Sequence, residues 1–195
     1  MLTAGEITRS VYGAWRLAHA DPIGMQFFDT TVEGFWRSFR LAILLAPAYA
    51  LLVAFDYMAP ASDGIEPATS SPARIAAVES IAYAIGWMAY PLAVYYLASA
   101  LDREREYVGY IVAYNWSTTV QVVVMLPLAG ITRLHLLPAP LADALGMAAA
   151  AALLAYSWFI AKTALKIGGW ASAGLVAMDL MIVLLITAIK NTMIY

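Results

Sequence analysis

The sequence predicts an all-α, polytopic integral membrane protein with five transmembrane helices and N-terminal interfacial amphipathic helices. Apolar residues make up 63% of the chain and charged residues 12%, whereas ordinary globular domains are about half apolar and a quarter charged. The apolar residues are concentrated in long runs that match the thickness of a bilayer. Cysteine is absent from the 195 residues, which excludes disulfides and thiolate metal sites.

Residues 1–40 form the first predicted region and contain two amphipathic segments. Apolar residues recur at helical spacing in each, as Ile7, Val11, Trp15 and Ala18 in the first and Val32, Phe35, Trp36 and Phe39 in the second. This pattern is typical of helices that lie on a membrane surface. The second helix is expected to begin with a capping box formed by Thr30 and Glu33.

Residues 41–195 form the second predicted region, a five-helix transmembrane domain. The predicted spans cover residues 41–58, 76–101, 108–130, 141–161 and 171–190. An exposed loop is expected over 59–71, and Ser71 and Pro72 are expected to cap and start the following helix. Small residues recur every fourth position in the last span, at Gly169, Ala173 and Ala177, which predicts close packing against another helix.

The distribution of basic residues predicts the orientation of the spans. With the N-terminus in the cytoplasm, eight of the eleven Lys and Arg residues lie on the inner side. This asymmetry agrees with the positive-inside rule. Five spans then place the C-terminus on the opposite side of the membrane, which we expect to be a bacterial inner membrane.

Polar residues inside the predicted spans are the main candidates for a functional site. The predicted intramembrane polar site consists of Asp179, Asn115, Ser117, Gln121 and Glu79. A carboxylate near the middle of a span costs about 2.5–3.5 kcal/mol on insertion scales, so it requires a proton, a partner or a polar surrounding.

Each of these residues allows a functional and a structural interpretation. Asp179 is either a proton- or ion-linked group or one half of an interhelical hydrogen bond, for which Asn115 and Gln121 are the candidate partners. The polar stripe on the third span either lines a small cavity or joins helices together. Glu79 is expected close to the outer interface, as a snorkelling or capping carboxylate.

A charged run precedes the third span and is interpreted as a cytoplasmic turn. It consists of Asp102, Arg103, Glu104, Arg105 and Glu106. The run is either a solvated turn with local ion pairs or a docking surface for a cytoplasmic partner. No metalloprotease, Walker or dinucleotide-binding motif is present, so we expect no catalytic residues, no metal and no cofactor. We also expect no nucleic-acid partner.

The layout of two N-terminal segments followed by five spans resembles the Yip-domain family of membrane proteins and its bacterial relatives. The local resemblance lies in residues 107–110 (Tyr-Val-Gly-Tyr) and 114–117 (Tyr-Asn-Trp-Ser), with Pro127 later in the same span. The serine that follows Gly-Tyr in eukaryotic members is absent after Tyr110, so the resemblance does not extend to Rab binding. It implies a non-enzymatic role in organising membranes or assembling membrane proteins.

Two functions from different classes follow from these observations. The first is a non-catalytic membrane protein that scaffolds a complex, as a homo-oligomer or as a complex subunit. The second is a small transporter or channel subunit that uses Asp179 and the polar stripe. An enzyme is a third and weaker alternative.

Overall fold

A computed structural model describes residues 2–58 and 70–195, which form helices without any strand. The helices are α1 (Ala4–Ala18), a 3-10 helix (Pro22–Phe27), α2 (Val32–Ser38), α3 (Leu41–Met58), α4 (Pro72–Ala100), α5 (Glu104–Arg133), α6 (Ala139–Ala164) and α7 (Gly169–Ile194). Five of the described helical segments are long and apolar enough to cross a membrane. The chain is therefore an all-α integral membrane protein with five spans.

The boundaries of the spans differ in detail from the predicted ones. The first apolar stretch runs over Val32–Tyr57 and includes α2, which only two residues separate from α3. Ser71 caps α4 and Pro72 is its first residue, as predicted. Most of the predicted loop over 59–71 lies outside the described residues.

Helix α5 lies at the centre of the bundle. It packs against α1, α2, α3, α4 and α6, whereas α7 packs against α4 and α6. Residues 110–117 of α5 are buried except for the half-buried Tyr114, and Trp116 is only 1% exposed. The best-packed part of the core therefore lies at the end of the bundle where the N-terminal helices are found.

The face of α1 that packs against the rest of the chain is not its apolar face. Its buried residues are Ser10, Gly13, Ala14 and Leu17. Val11 and Trp15 are instead exposed, at 37% and 55%. Small side chains let α1 approach the 3-10 helix closely, since a Cβ on Gly13 would lie 2.8 Å from the carbonyl oxygen of Gly24. Whether the exposed face of α1 contacts lipid stays a prediction.

The start of α2 corrects the predicted capping box. Thr31, not Thr30, is the N-cap, and its hydroxyl oxygen accepts a 3.1 Å hydrogen bond from the backbone N–H of Gly34. Asp29 accepts hydrogen bonds from Thr31 and forms an ion pair with Arg37. These hydrogen bonds and this charge hold the pKa of Asp29 below its usual range. The hydrophobic segment is thus anchored by Asp29 and Thr31 before it enters the bundle.

The charged run divides between a turn and a helix. Asp102 has a left-handed backbone with φ 54°, while Glu104 and Glu106 belong to the first turn of α5. Glu104 accepts a hydrogen bond from Ser99, and Glu106 lies 3.4 Å from the ammonium of Lys166. The run therefore has local polar partners, and docking of another protein here stays a prediction.

Candidate functional site

A cavity of about 340 Å³, partly open to the outside of the bundle, lies between α5 and α7. Helix α4 and one residue of α3 complete its wall. The lining residues are Tyr49, Ala82, Tyr83, Gly86, Trp87, Tyr114, Asn115, Thr118, Gln121, Val183, Ile186, Thr187 and Lys190. The cavity thus has apolar, aromatic and hydrogen-bonding surfaces within the membrane-spanning part of the chain.

The wall formed by α5 contains part of the predicted polar stripe. Asn115, Thr118 and Gln121 follow one another every three residues and line the cavity. Ser117 does not line the cavity, and its hydroxyl donates a 2.6 Å hydrogen bond to the backbone oxygen of Tyr114. The stripe therefore lines a cavity in part, and Ser117 is a structural member of the helix.

The orientation of the Asn115 amide follows from its neighbour in α2. The hydroxyl of Ser38 donates its only hydrogen to the backbone oxygen of Phe35 at 2.7 Å. Ser38 can then only accept from Asn115, so the amide nitrogen must face it, at 2.9 Å. The amide oxygen of Asn115 points away and has no hydrogen-bond donor among the described residues. Such a buried, unsatisfied acceptor is costly and marks a position where a donor is missing.

Aromatic rings form another part of the cavity wall. The rings of Tyr49 and Tyr83 lie 4.5 Å apart between centroids, and Trp87 follows Tyr83 one turn later. The hydroxyl of Tyr83 donates to the backbone oxygen of Ala42 at 2.7 Å, which fixes the ring to α3. The rings present flat apolar surface to the cavity, while the hydroxyls of Tyr49 and Tyr83 donate to Glu79 and to the backbone of α3.

Glu79 is buried among the helices of the bundle, and its depth close to the outer interface stays a prediction. Only 4% of the residue is exposed. Its carboxylate accepts hydrogen bonds from the hydroxyls of Tyr49 at 2.7 Å and Tyr57 at 2.9 Å, and it forms a 3.0 Å ion pair with Lys190. Three helices thus meet at one carboxylate, and its partner Lys190 forms one end of the cavity.

Asp179 has a different partner from the two predicted ones. The hydroxyl of Tyr114 lies 3.0 Å from each carboxylate oxygen of Asp179. Asn115 and Gln121 are not its hydrogen-bond partners in the bundle. The eleven residues from Asp179 to Lys190 correspond to about 16 Å along α7. The two carboxylate clusters therefore lie at different depths, and the cavity joins them through Tyr114 and Lys190.

Tyr114 belongs to a tyrosine cluster that sequence reasoning did not identify. The hydroxyls of Tyr90 and Tyr110 share a hydrogen bond, and the ring of Tyr90 lies 4.5 Å from that of Tyr114. Tyr110 and Tyr114 are four residues apart and so share one face of α5. That four-residue spacing, beside Asn115, is the feature of the sequence that points to this cluster.

The described residues contain no group of three or more His, Cys, Asp or Glu side chains that could hold a metal ion. No model of a protein family matches the chain, and no curated protein or solved structure is significantly similar to it.

Proposed function

We propose that the chain is a membrane transport component, a small transporter or channel subunit that binds a solute in the cavity and exchanges a proton at Asp179. One observation carries this proposal. Tyr114 lines the cavity and is at the same time the hydrogen-bond donor to Asp179. A change in the charge of this carboxylate therefore acts directly on a residue that a bound solute would touch.

The surroundings of Asp179 favour proton exchange over a purely structural role. Both of its carboxylate oxygens share the single hydrogen of the Tyr114 hydroxyl. An ionised carboxylate has about four acceptor sites, and most of them would stay empty here. Intramembrane carboxylates with a polar partner commonly belong to proton relays in transporters.

Proton flux into liposomes tests this function. The protein is reconstituted into phosphatidylethanolamine and phosphatidylglycerol vesicles that contain a pH-sensitive dye, and a potassium diffusion potential drives protons inward. We expect flux above that of protein-free vesicles, and its loss in Asp179→Asn. The amide keeps the size of the side chain and still accepts from Tyr114, but it carries no exchangeable carboxyl proton.

Asp143→Asn is the matched control, because Asp143 is exposed near the start of α6. Its flux should equal that of the unmodified protein. Unchanged flux in Asp179→Asn, or no flux above protein-free vesicles, would overturn the transport proposal.

A specific observation also supports the second candidate, a scaffold or complex subunit. Of the three residues in the small-residue stripe of α7, only Gly169 packs against another helix of the same chain. A Cβ atom at this position would lie 3.3 Å from the ring of Trp158 in α6. Ala173 and Ala177 are exposed. A small-residue surface that the bundle leaves uncovered is suited to close packing against another transmembrane helix.

Cysteine cross-linking in membranes tests this second function. Ala177→Cys introduces one thiol into a chain that has none, and we expect a disulfide-linked dimer after mild oxidation. Met147→Cys, on the exposed side of α6, is the control and should stay monomeric. Equal cross-linking of both variants, or none, would count against self-association through α7.

A further inference from the structure

An apolar groove lies beside the cavity, on the outer surface of α4 and α7. Its volume is about 110 Å³. The lining residues are Val78, Ile81, Ala82, Ile85, Ile186, Ile189, Lys190 and Met193. Ile81 and Ile189 are 58% and 53% exposed. Because both helices span the membrane, the groove is open to the hydrocarbon region of the bilayer.

The groove and the cavity adjoin each other. Ala82, Ile186 and Lys190 line both of them. Ala82 contributes only a methyl group at this junction, but α4 and α7 pack against each other and are joined by the ion pair between Glu79 and Lys190, so a chain of methylene groups must part the two helices there. A ligand that does so occupies the polar cavity with one end and the apolar groove with the other.

The polar end of such a ligand is defined by two groups in the cavity wall. The amide oxygen of Asn115 lacks a donor, and because this oxygen is itself buried, a head group reaches it only after a small displacement of the cavity wall. Lys190 uses its ammonium in the ion pair with Glu79, and an ammonium has three N–H donors in total. The matching head group carries a hydroxyl or amine that donates to Asn115 and an oxygen that accepts from Lys190.

We propose that the cavity takes the head group of a membrane lipid bearing a hydroxyl or amine donor, and that the groove takes part of its hydrocarbon chain. This proposal rests on the cavity assigned above to solute binding and names the class of that solute. The lipid enters sideways from the bilayer, because the exposed groove is on the lipid-facing surface of α4 and α7.

Photo-crosslinking with two matched lipids tests the proposal. The protein is placed in nanodiscs with trace phosphatidylethanolamine or phosphatidylcholine, each with a diazirine and an alkyne in the same acyl chain. Both head groups are zwitterionic and contain phosphate, but only ethanolamine has N–H donors. We expect residues 78–85 and 186–193 to be labelled about fivefold more strongly by the ethanolamine lipid. This is the difference in affinity expected from one hydrogen bond between its amine and the amide oxygen of Asn115.

Variants at the junction and in the cavity wall test whether the preference for the ethanolamine lipid depends on these two places. Ala82→Phe closes the junction and should reduce the ratio between the two lipids to about one. Ala84→Phe, on the exposed side of the same helix, should leave the ratio unchanged. Asn115→Leu should also abolish the preference. If Asn115→Leu does not fold, as judged by elution and helical content, Ser38→Ala provides the second variant and should also abolish the preference, because it removes the hydroxyl that orients the Asn115 amide.

Equal labelling by the two lipids in the unmodified protein would overturn the proposal, and so would a preference that survives Ala82→Phe. Proton flux lost in Asp179→Asn, combined with equal labelling, would leave transport standing and reject the lipid. A labelling preference without proton flux would support the lipid site and reject the transport function.

Discussion

At the scale of single residues, Glu79 shows what an apolar bundle requires in order to hold a charge. Its carboxylate has two tyrosine hydroxyls and one ammonium within 3.0 Å. Buried ion pairs depend on such complete pairing, because removing one partner leaves an uncompensated charge in an apolar surrounding. The stability of the end of the bundle that contains Glu79 should therefore depend on Lys190.

Lys190→Met should lower the free energy of unfolding by about 3 kcal/mol, since it leaves Glu79 buried without its counter-charge. Thermal unfolding in detergent, followed by tryptophan fluorescence, measures this loss. Lys166→Met is the control, because the side chain of Lys166 is 73% exposed and its ion pair is long. Combining Lys190→Met with Glu79→Gln should recover part of the loss. Equal stability of the two lysine variants would contradict this account of the cluster.

At this scale the sequence identified the polar residues of the site, but it did not show which of them are paired with each other. Asp179 was recognisable because a carboxylate in an apolar run is unusual. Its partner Tyr114 lies 65 residues away in the chain, and periodicity carries no information about contacts between helices. The pairing of Glu79 was equally hidden, because Tyr49, Tyr57 and Lys190 lie on two other helices.

At the scale of elements, α1 shows that hydropathy does not always identify the buried face of a helix. Its buried positions include serine, glycine and alanine, which contribute little apolar area but permit close approach. A Cβ at Gly13 would lie 2.8 Å from the oxygen of Gly24 and 2.9 Å from the Cβ of Phe27. The five long helices, in contrast, were predictable because their hydrophobicity is needed for insertion, whatever they pack against.

Gly13→Ala should loosen the contact between α1 and the 3-10 helix. Overpacking of this kind costs about 1–3 kcal/mol, so amide exchange in both elements should accelerate about tenfold. Hydrogen–deuterium exchange with mass spectrometry provides the measurement. In Gly5→Ala the added methyl group meets open space, and exchange should stay the same or slow down. Acceleration in neither variant would show that the close approach does not constrain the two elements.

At the scale of the whole molecule, the number of spans and the orientation of the chain in the membrane are predicted from different features of the sequence. The spans reflect apolar length, and five of them are present. The orientation depends on the basic residues, eight of which out of eleven lie on the side of the N-terminal helices. The cavity was not predictable in size or position, because it arises where α7 packs on α4 and α6 and stays apart from α5.

Single-cysteine labelling in intact bacterial cells should establish the orientation. Leu136→Cys, at an exposed position between α5 and α6, should react with an impermeant maleimide from outside. Arg105→Cys, at the opposite end of α5, should react only after permeabilisation, because the basic side stays in the cytoplasm. The reverse pattern of labelling would show that the N-terminus lies outside.

Ser38 has a consequence for ligand selectivity although it does not line the cavity. Its hydroxyl receives the amide N–H of Asn115 and so keeps the amide oxygen on the other side. Without that acceptor the amide is free to turn over and present N–H groups where it now presents oxygen. If the cavity binds the ligand proposed above, a residue of α2 sets whether that ligand has to donate a hydrogen bond to Asn115 or accept one from it.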